Sequence, residues 1–335
     1  MNLDVLIPSL LLPEPVLKMF PAPHAPALAA ILARADRLAS PYASATDWLC
    51  GRWGIAPPYP VAAILAAFDG LDTQQSGAWL FAEPVNMATQ SKTLKLFPAR
   101  FLELTADESR QCVEALNAHF SARGVTFFAT LADRWYVRCA HDEIPVTTPV
   151  DQARLGSMLE FQPQSHGMIN WRAIQNEIQM LFHTHPVNAA REMDGRPRID
   201  GVWFWGGGEA AAKNAPAYDT VFADDPLALQ LARQSGIVAG ALAIPPPNLG
   251  NRNVLAVIDT CHHFARDFEM QKWVTEVERL DREWFQPIAQ KLRAGDIGRL
   301  TLFSPDGEQT RTFTITRSQL ALRFWRKPVP LAVNA

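Results

Sequence analysis

The sequence predicts an α/β protein, and three observations predict it. Short apolar runs bounded by turn residues alternate with amphipathic stretches of helical period, the order that builds a sheet covered by helices. The chain has 335 residues, enough for two domains of about 150 residues or one large domain with an inserted lobe. Hydrophobic residues make up 48% and charged residues 19%, which excludes the disordered and supercharged classes.

The elements follow in order. Residues 3–12 form an apolar run that reads as a buried strand, followed by a proline-rich turn. Across 26–39, Leu28, Ile31, Leu32 and Ala35 recur at helical spacing and predict one helix. A second helix opens at Pro60 and stops at Gly70. The run 79–87 reads as a strand ending at a turn at Pro84. Thr105 with Glu108 three residues on is a capping box, so a helix runs from there to Gly124. Residues 124–139 read as two strands around Ala132 and Asp133, and 141–167 as a polar, aperiodic linker or lid. A helix from Asn170 to Phe182 presents Ile174, Ile178 and Leu181 on one face, and a strand then runs into Gly206, Gly207 and Gly208. Beyond it come a helix at 227–237, buried strands at 241–247 and 254–260, and a long amphipathic helix at 268–295. A terminal hairpin around Asp306 and Gly307 follows.

Charge and targeting narrow the function classes. Residues 1–150 carry 11 Lys/Arg against 14 Asp/Glu and the remainder 20 against 20, so neither half is a generic polyanion binder. Apolar runs are broken by proline or fall far short of the ~20 residues that span a bilayer, so no membrane partner is expected. The N-terminus lacks the basic segment of a secretion signal, which makes the cytoplasm the expected location. Cys50, Cys112, Cys139 and Cys261 show no CxxC spacing and are expected to be reduced, buried thiols. Residues 309–335 hold Arg311, Arg317, Arg323, Arg326 and Lys327 and no acid, which reads as a solvated edge blocking strand addition. Nucleic-acid binding would need more stacking platforms than Phe324 and Trp325, so that partner is not expected.

The densest stretch is 183–208, which packs His183, His185, Asn188 and Arg191 ahead of a strand with Trp203 and Trp205 and then the three glycines. Glycine amides at a strand end and the Arg191 fork suit a phosphate or carboxylate. The other reading is structural, with positive-φ glycines, core tryptophans and Arg191 pairing a carboxylate. A second cluster, Asp259, His262, His263 and Asp267, follows an apolar strand, where an α/β sheet places its chemistry. No G-x-S-x-G or H-E-x-x-H signature is present.

On His185, Pro186, Asn188, Arg191, Gly195, Trp203, Trp205, Gly206 and Gly208 the chain resembles the archaeal-type cofactor-independent phosphoglycerate mutases. Over its whole length it resembles the bacterial RpfE-type regulatory proteins. The resemblance implies an alkaline-phosphatase-like mixed sheet flanked by helices, with an inserted smaller α+β lobe. The core is expected at 1–80 and 165–335, the lobe and linker at 81–164. It also implies a two-metal phosphoryl-transfer site, from which this sequence departs. Pro8 and Ser9 stand where the family has Asp-Gly, Arg266 where a late ligand pair ends in His, and Ser304, Pro305 and Asp306 where it has Asp-His. The expectation is therefore a ligand-binding or regulatory protein that has lost its two-metal catalytic site, with an active mutase or phosphohydrolase as the alternative and a nucleic-acid-associated regulator using the basic C-terminal hairpin as a second alternative. Its ligand site is His185, Asn188, Arg191, Trp205, Gly206, Gly207 and Gly208. No metal is expected; the alternative is Mn, Mg or Zn on Asp259, His262, His263 and Asp267. The expected ligand is a small anion such as a phosphate ester, and a protein partner is compatible with a regulatory role.

Overall fold

A computed structural model of the chain describes residues 2–74, 76–90, 93–154, 158–165, 167–208, 215–242, 252–327 and 331–332. Twelve strands run through the described residues: β1 (Asn2–Leu6), β2 (Asp36–Ser40), β3 (Ala78–Gln90), β4 (Thr93–Pro98), β5 (Thr126–Leu131), β6 (Arg134–Cys139), β7 (Gly201–Trp205), β8 (Thr220–Ala223), β9 (Val238–Gly240), β10 (Asn253–Val257), β11 (Arg299–Pro305) and β12 (Thr310–Thr316). They sort into two compact units, Met1–Ile55 with Ala212–Ala335, and Ala56–Ala211. Residues 56–80 and 165–211, expected in the core, thus belong to the second unit. β3 pairs with β6, inside the predicted lobe, and with β7, beyond it, which joins the lobe to the segment that follows.

The first unit is a mixed α/β layer, its seven-stranded sheet ordered β2-β12-β11-β1-β10-β8-β9. β1 runs parallel to β10 and β11, β8 parallel to β10 and β9, and β12 antiparallel to β11 and β2. The N-terminal apolar run supplies the central strand because its side chains are buried on both faces. One face packs under helices Pro26–Arg34, Met270–Leu280 and Gln286–Ala294, where Leu28, Trp273, Val277 and Ile288 meet Val5, Ala256 and Leu302. On the other face Trp48, from helix Ala45–Arg52, packs on Phe303 with ring centroids 4.7 Å apart.

Two predicted helices differ. The first ends at Arg34 because Ala35 is extended and the chain then pairs Asp36–Ser40 with Thr310–Thr314, a long-range ladder that local spacing does not encode. β2 is therefore the sheet's end strand and the basic β12 lies inside it, so the predicted solvated edge is not β12. The long helix is interrupted by a π turn at Asp281–Phe285. Asp281 is buried there and accepts the Leu28 N–H at 2.7 Å, capping a helix whose own N-cap residue, Ala25, has no side chain to do so. The terminal hairpin forms as predicted. The strand predicted at 241–247 falls, from 243 onward, outside the described residues.

The second unit is built on an antiparallel sheet ordered β4-β3-β6-β5, with β7 also on β3. Helices Ala106–Phe120 and Trp171–His183 cover one face, with Leu116, Phe120, Trp171 and Ile178 on Leu80, Phe127, Val137 and Phe204. The capping box is present: Glu108 N–H donates to Thr105 Oγ1 at 3.2 Å and Thr105 N–H to the Glu108 carboxylate at 2.8 Å. β3 continues through Pro84. β6 pairs as far as Phe81 and β4 from Val85, so the missing N–H interrupts neither of these ladders, and Pro84 stands opposite Val202 in the ladder to β7. Among the described residues no helix is long and apolar enough to cross a membrane. All four cysteines are buried thiols without disulfides, and burial pushes Cys50, Cys112 and Cys139 up to about 12.

Candidate functional site

Because β1, β8, β10 and β11 are parallel, their carboxyl ends deliver Ser9, Asp225, Asp259 and Ser304 to one edge of the first unit's sheet. Ser9 sits in the left-handed region at φ 55°, held by its N–H to Pro305 O at 3.2 Å and by Trp273 Nε1 donating to its carbonyl at 2.8 Å. Its Oγ is 3.1 Å from His262 Nδ1. One turn of helix Thr260–Arg266 lets Asp259 reach His263 at 2.7 Å. That hydrogen bond raises the His263 pKa above its ordinary value against the cost of burial. Asp225 caps helix Pro226–Gln234 by accepting the Ala228 N–H at 2.7 Å. Loss of solvent, and then the Asp259 charge, push it up to about 6. Ser304 is fully buried and its Oγ has no hydrogen-bond partner.

The alternative metal set is brought only partly together. Asp259 and His263 meet each other, His262 meets Ser9, and Asp267 lies 3.5 Å from Arg266. Among the described residues no three His, Cys, Asp or Glu side chains converge as a metal site would require. A two-metal centre needs several carboxylates and imidazoles around ions about 3.5–4 Å apart. Serines at the ends of β1 and β11 and a cation at Arg266 do not fit one.

In the second unit the predicted ligand motif folds into a bracket. His185 is the N-cap of helix Pro186–Met193, its Nδ1 accepting the Val187 N–H at 3.3 Å, and burial lowers its pKa. Asn188 is buried and saturated, donating to Phe182 O and Ile199 O and accepting the Ile199 N–H, all at 2.8 Å. Arg191 is fully enclosed: it donates to Pro197 O at 2.6 Å, Glu108 at 2.9 Å and Leu102 O. The guanidinium expected to contact an anion thus has three protein acceptors around it. The glycines also pack closely. A Cβ at Gly208 would lie 2.2 Å from Pro58 O, one at Gly207 2.9 Å from Ile144, and one at Gly206, where φ is 75°, 2.9 Å from Phe81. The Gly206 carbonyl accepts the Ala62 N–H at 3.0 Å. Trp203 and Trp205 share one face of β7 and Phe204 takes the other, with Trp203 and Phe204 buried. That strand lies in the second unit's sheet, beside β3, and not at the centre of the parallel sheet.

Trp205 exposes a residue that sequence patterns missed. Its Nε1 donates to Glu83 at 2.9 Å, and its ring lies 4.4 Å from Phe81. Desolvation pushes the Glu83 carboxyl up to about 7 against the Trp205 hydrogen bond. The Ser9–His262 pairing also lacked a sequence signal, since 253 residues separate the two.

No protein-family model and no curated protein matches the sequence. Two solved structures are similar in fold. The PH0037 protein from Pyrococcus horikoshii aligns with TM-score 0.50 at 11% identity, over 94% of this chain and 87% of that one. The cofactor-independent phosphoglycerate mutase from Thermoplasma acidophilum DSM 1728 aligns with TM-score 0.44 at 12% identity, over 94% of this chain and 90% of that one.

Proposed function

We propose that the chain is a phosphoglycerate-mutase-like protein of alkaline-phosphatase-like architecture that works by binding a ligand, in a regulatory role of the RpfE type, and not by two-metal phosphoryl transfer. The observation that carries this reading is the pairing at the sheet's carboxyl edge, where Ser9 engages His262 and Asp259 engages His263. One nitrogen of each imidazole is hydrogen-bonded to protein, and serines stand at the ends of β1, beside β10, and of β11, beside β1. The edge still offers a hydroxyl and two imidazoles, groups able to donate to a small phosphate ester or carboxylate. The 183–208 segment, by contrast, holds the second unit together.

Calorimetric titration with 3-phosphoglycerate and with inorganic phosphate tests the reading. Binding at millimolar concentration or tighter is expected, weakened about tenfold by His262→Ala, the loss of one hydrogen bond to a charged group. No binding of either anion, or binding indifferent to His262→Ala, contradicts a ligand site at this edge.

A further inference from the structure

β2 ends the first unit's sheet: among the described residues its only registered partner is β12, and Asp36, Arg37, Leu38 and Ala39 are exposed. An end strand presents unpaired N–H and C=O groups, and neither proline nor bulge interrupts this one. Charge is distributed unevenly along it. At its start a groove of about 500 Å³ is lined by Asp36, Arg37, Arg326 and Lys327. The one acid there, Asp36, is already held by Arg323 at 2.6 Å and Gln319 at 2.5 Å, so this end is basic. At the other end sits the β11–β12 turn, where Asp306 is held by Arg311 at 3.0 Å and Glu308 is the exposed acid. Thr310 pairs with Ser40, and the Gly307 N–H donates to Ala43 O at 3.1 Å, which fixes the turn beside the strand's end. Leu38 is 73% exposed, Phe324 73% and Trp325 66%, and the Arg323–Asp36 bond keeps the two aromatic rings beside the strand's start.

We propose that this edge is a self-association surface: two copies of the chain pair antiparallel through Asp36–Ser40 about a two-fold axis at Leu38. That register sets Leu38 against Leu38, Arg37 against Ala39 and Asp36 against Ser40, and opposes no like charges. It also carries the basic start of each strand to the exposed Glu308 of the other copy, a self-complementary arrangement. Five paired residues alone fall short of the ~800 Å² per partner of a standard interface. Phe324 and Trp325, at roughly 150–250 Å² each, supply much of the difference. A lipid surface or a nucleic acid would engage the basic end and leave the acidic end without a role.

Sedimentation equilibrium over a range of protein concentrations tests the proposal, with circular dichroism confirming that each variant is folded. The parent is expected to dimerise. Leu38→Lys, which sets two ammonium groups against each other on the axis, abolishes the dimer. Lys327→Glu weakens it about tenfold because the contact occurs twice, and adding Glu308→Lys to that variant restores it. A monomer at every concentration, a dimer indifferent to Leu38→Lys, or a Lys327→Glu defect that Glu308→Lys does not repair would overturn the proposal. So would a monomer that floats with phosphatidylserine vesicles or shifts an oligothymidylate through the same residues.

Discussion

Arg191 donates to Glu108 at 2.9 Å, tying the helix that carries the His-Pro-x-Asn-x-x-Arg pattern to the first turn of the helix that opens at Thr105. Arg196 reaches the same carboxylate at 2.9 Å; burial opposes ionisation of Glu108, but the Thr105 N–H and then Arg191 hold its pKa below the usual range. Removing Arg191 leaves Arg196 on Glu108 but strips the Leu102 and Pro197 carbonyls of their donor at a fully buried site, so Arg191→Ala is expected to cost about 2–5 kcal/mol. Arg191→Lys recovers only part, because an ammonium cannot serve three acceptors in a plane. Urea unfolding measures this; an Arg191→Ala protein as stable as the parent would restore the anion-binding reading.

The glycine turn gives a second expectation. Gly208 faces backbone atoms of Pro58, which cannot swing aside as a side-chain tip can. Gly208→Ala should therefore lower stability by about 1–3 kcal/mol, the usual range for overpacking. A thermal melt unchanged from the parent would show that this turn is open.

Trp203 is fully buried among Val85, Leu96, Val150 and Ala153, and its Nε1 donates to Thr148 O at 2.8 Å. Trp203→Ala is expected to cost about 3–5 kcal/mol, and Trp205→Ala, at a half-buried site, less. Chemical denaturation of the two variants decides the order, and the reverse order would contradict the packing described.

Glu83 sets a pH dependence. Its folded pKa near 7 lies above the ordinary 4.5, so between those values the folded protein retains a proton that the unfolded chain has released. Stability therefore falls as pH rises through that window. Glu83→Gln keeps an acceptor for Trp205 and should remove the dependence, gaining about 1–2 kcal/mol at pH 8 once partial exposure is allowed for. Stability measured at pH 5 and pH 8 tests it; an equal gain at both would assign the effect to packing.

The parts of the fold legible in sequence were those that local chemistry dictates. The Thr105–Glu108 capping box, the Asp306–Gly307 hairpin and the apolar β1 run all form where patterning puts them. What escaped depends on distant partners. Asp36–Ser40 continues a helical spacing and becomes a strand only because β12 is available to pair with it. β7 looks like the centre of a parallel sheet, since both its faces are apolar, but its ladder is to β3. Arg191 has the composition of a ligand contact, and only the fold shows Glu108, Leu102 and Pro197 already around it. At the carboxyl edge the cluster near Asp259 was visible as residue types, whereas its division into two separate pairs was not.

The proposed ligand binding at the carboxyl edge excludes a two-metal phosphoryl-transfer site there. That exclusion is tested most directly by the metal content of the folded protein after incubation with Mn, Mg and Zn and removal of free ions. No stoichiometric metal is expected for any of the three. One or two equivalents retained by the parent and lost in Asp259→Asn or His263→Ala, with EDTA-sensitive interconversion of 2- and 3-phosphoglycerate, would contradict it.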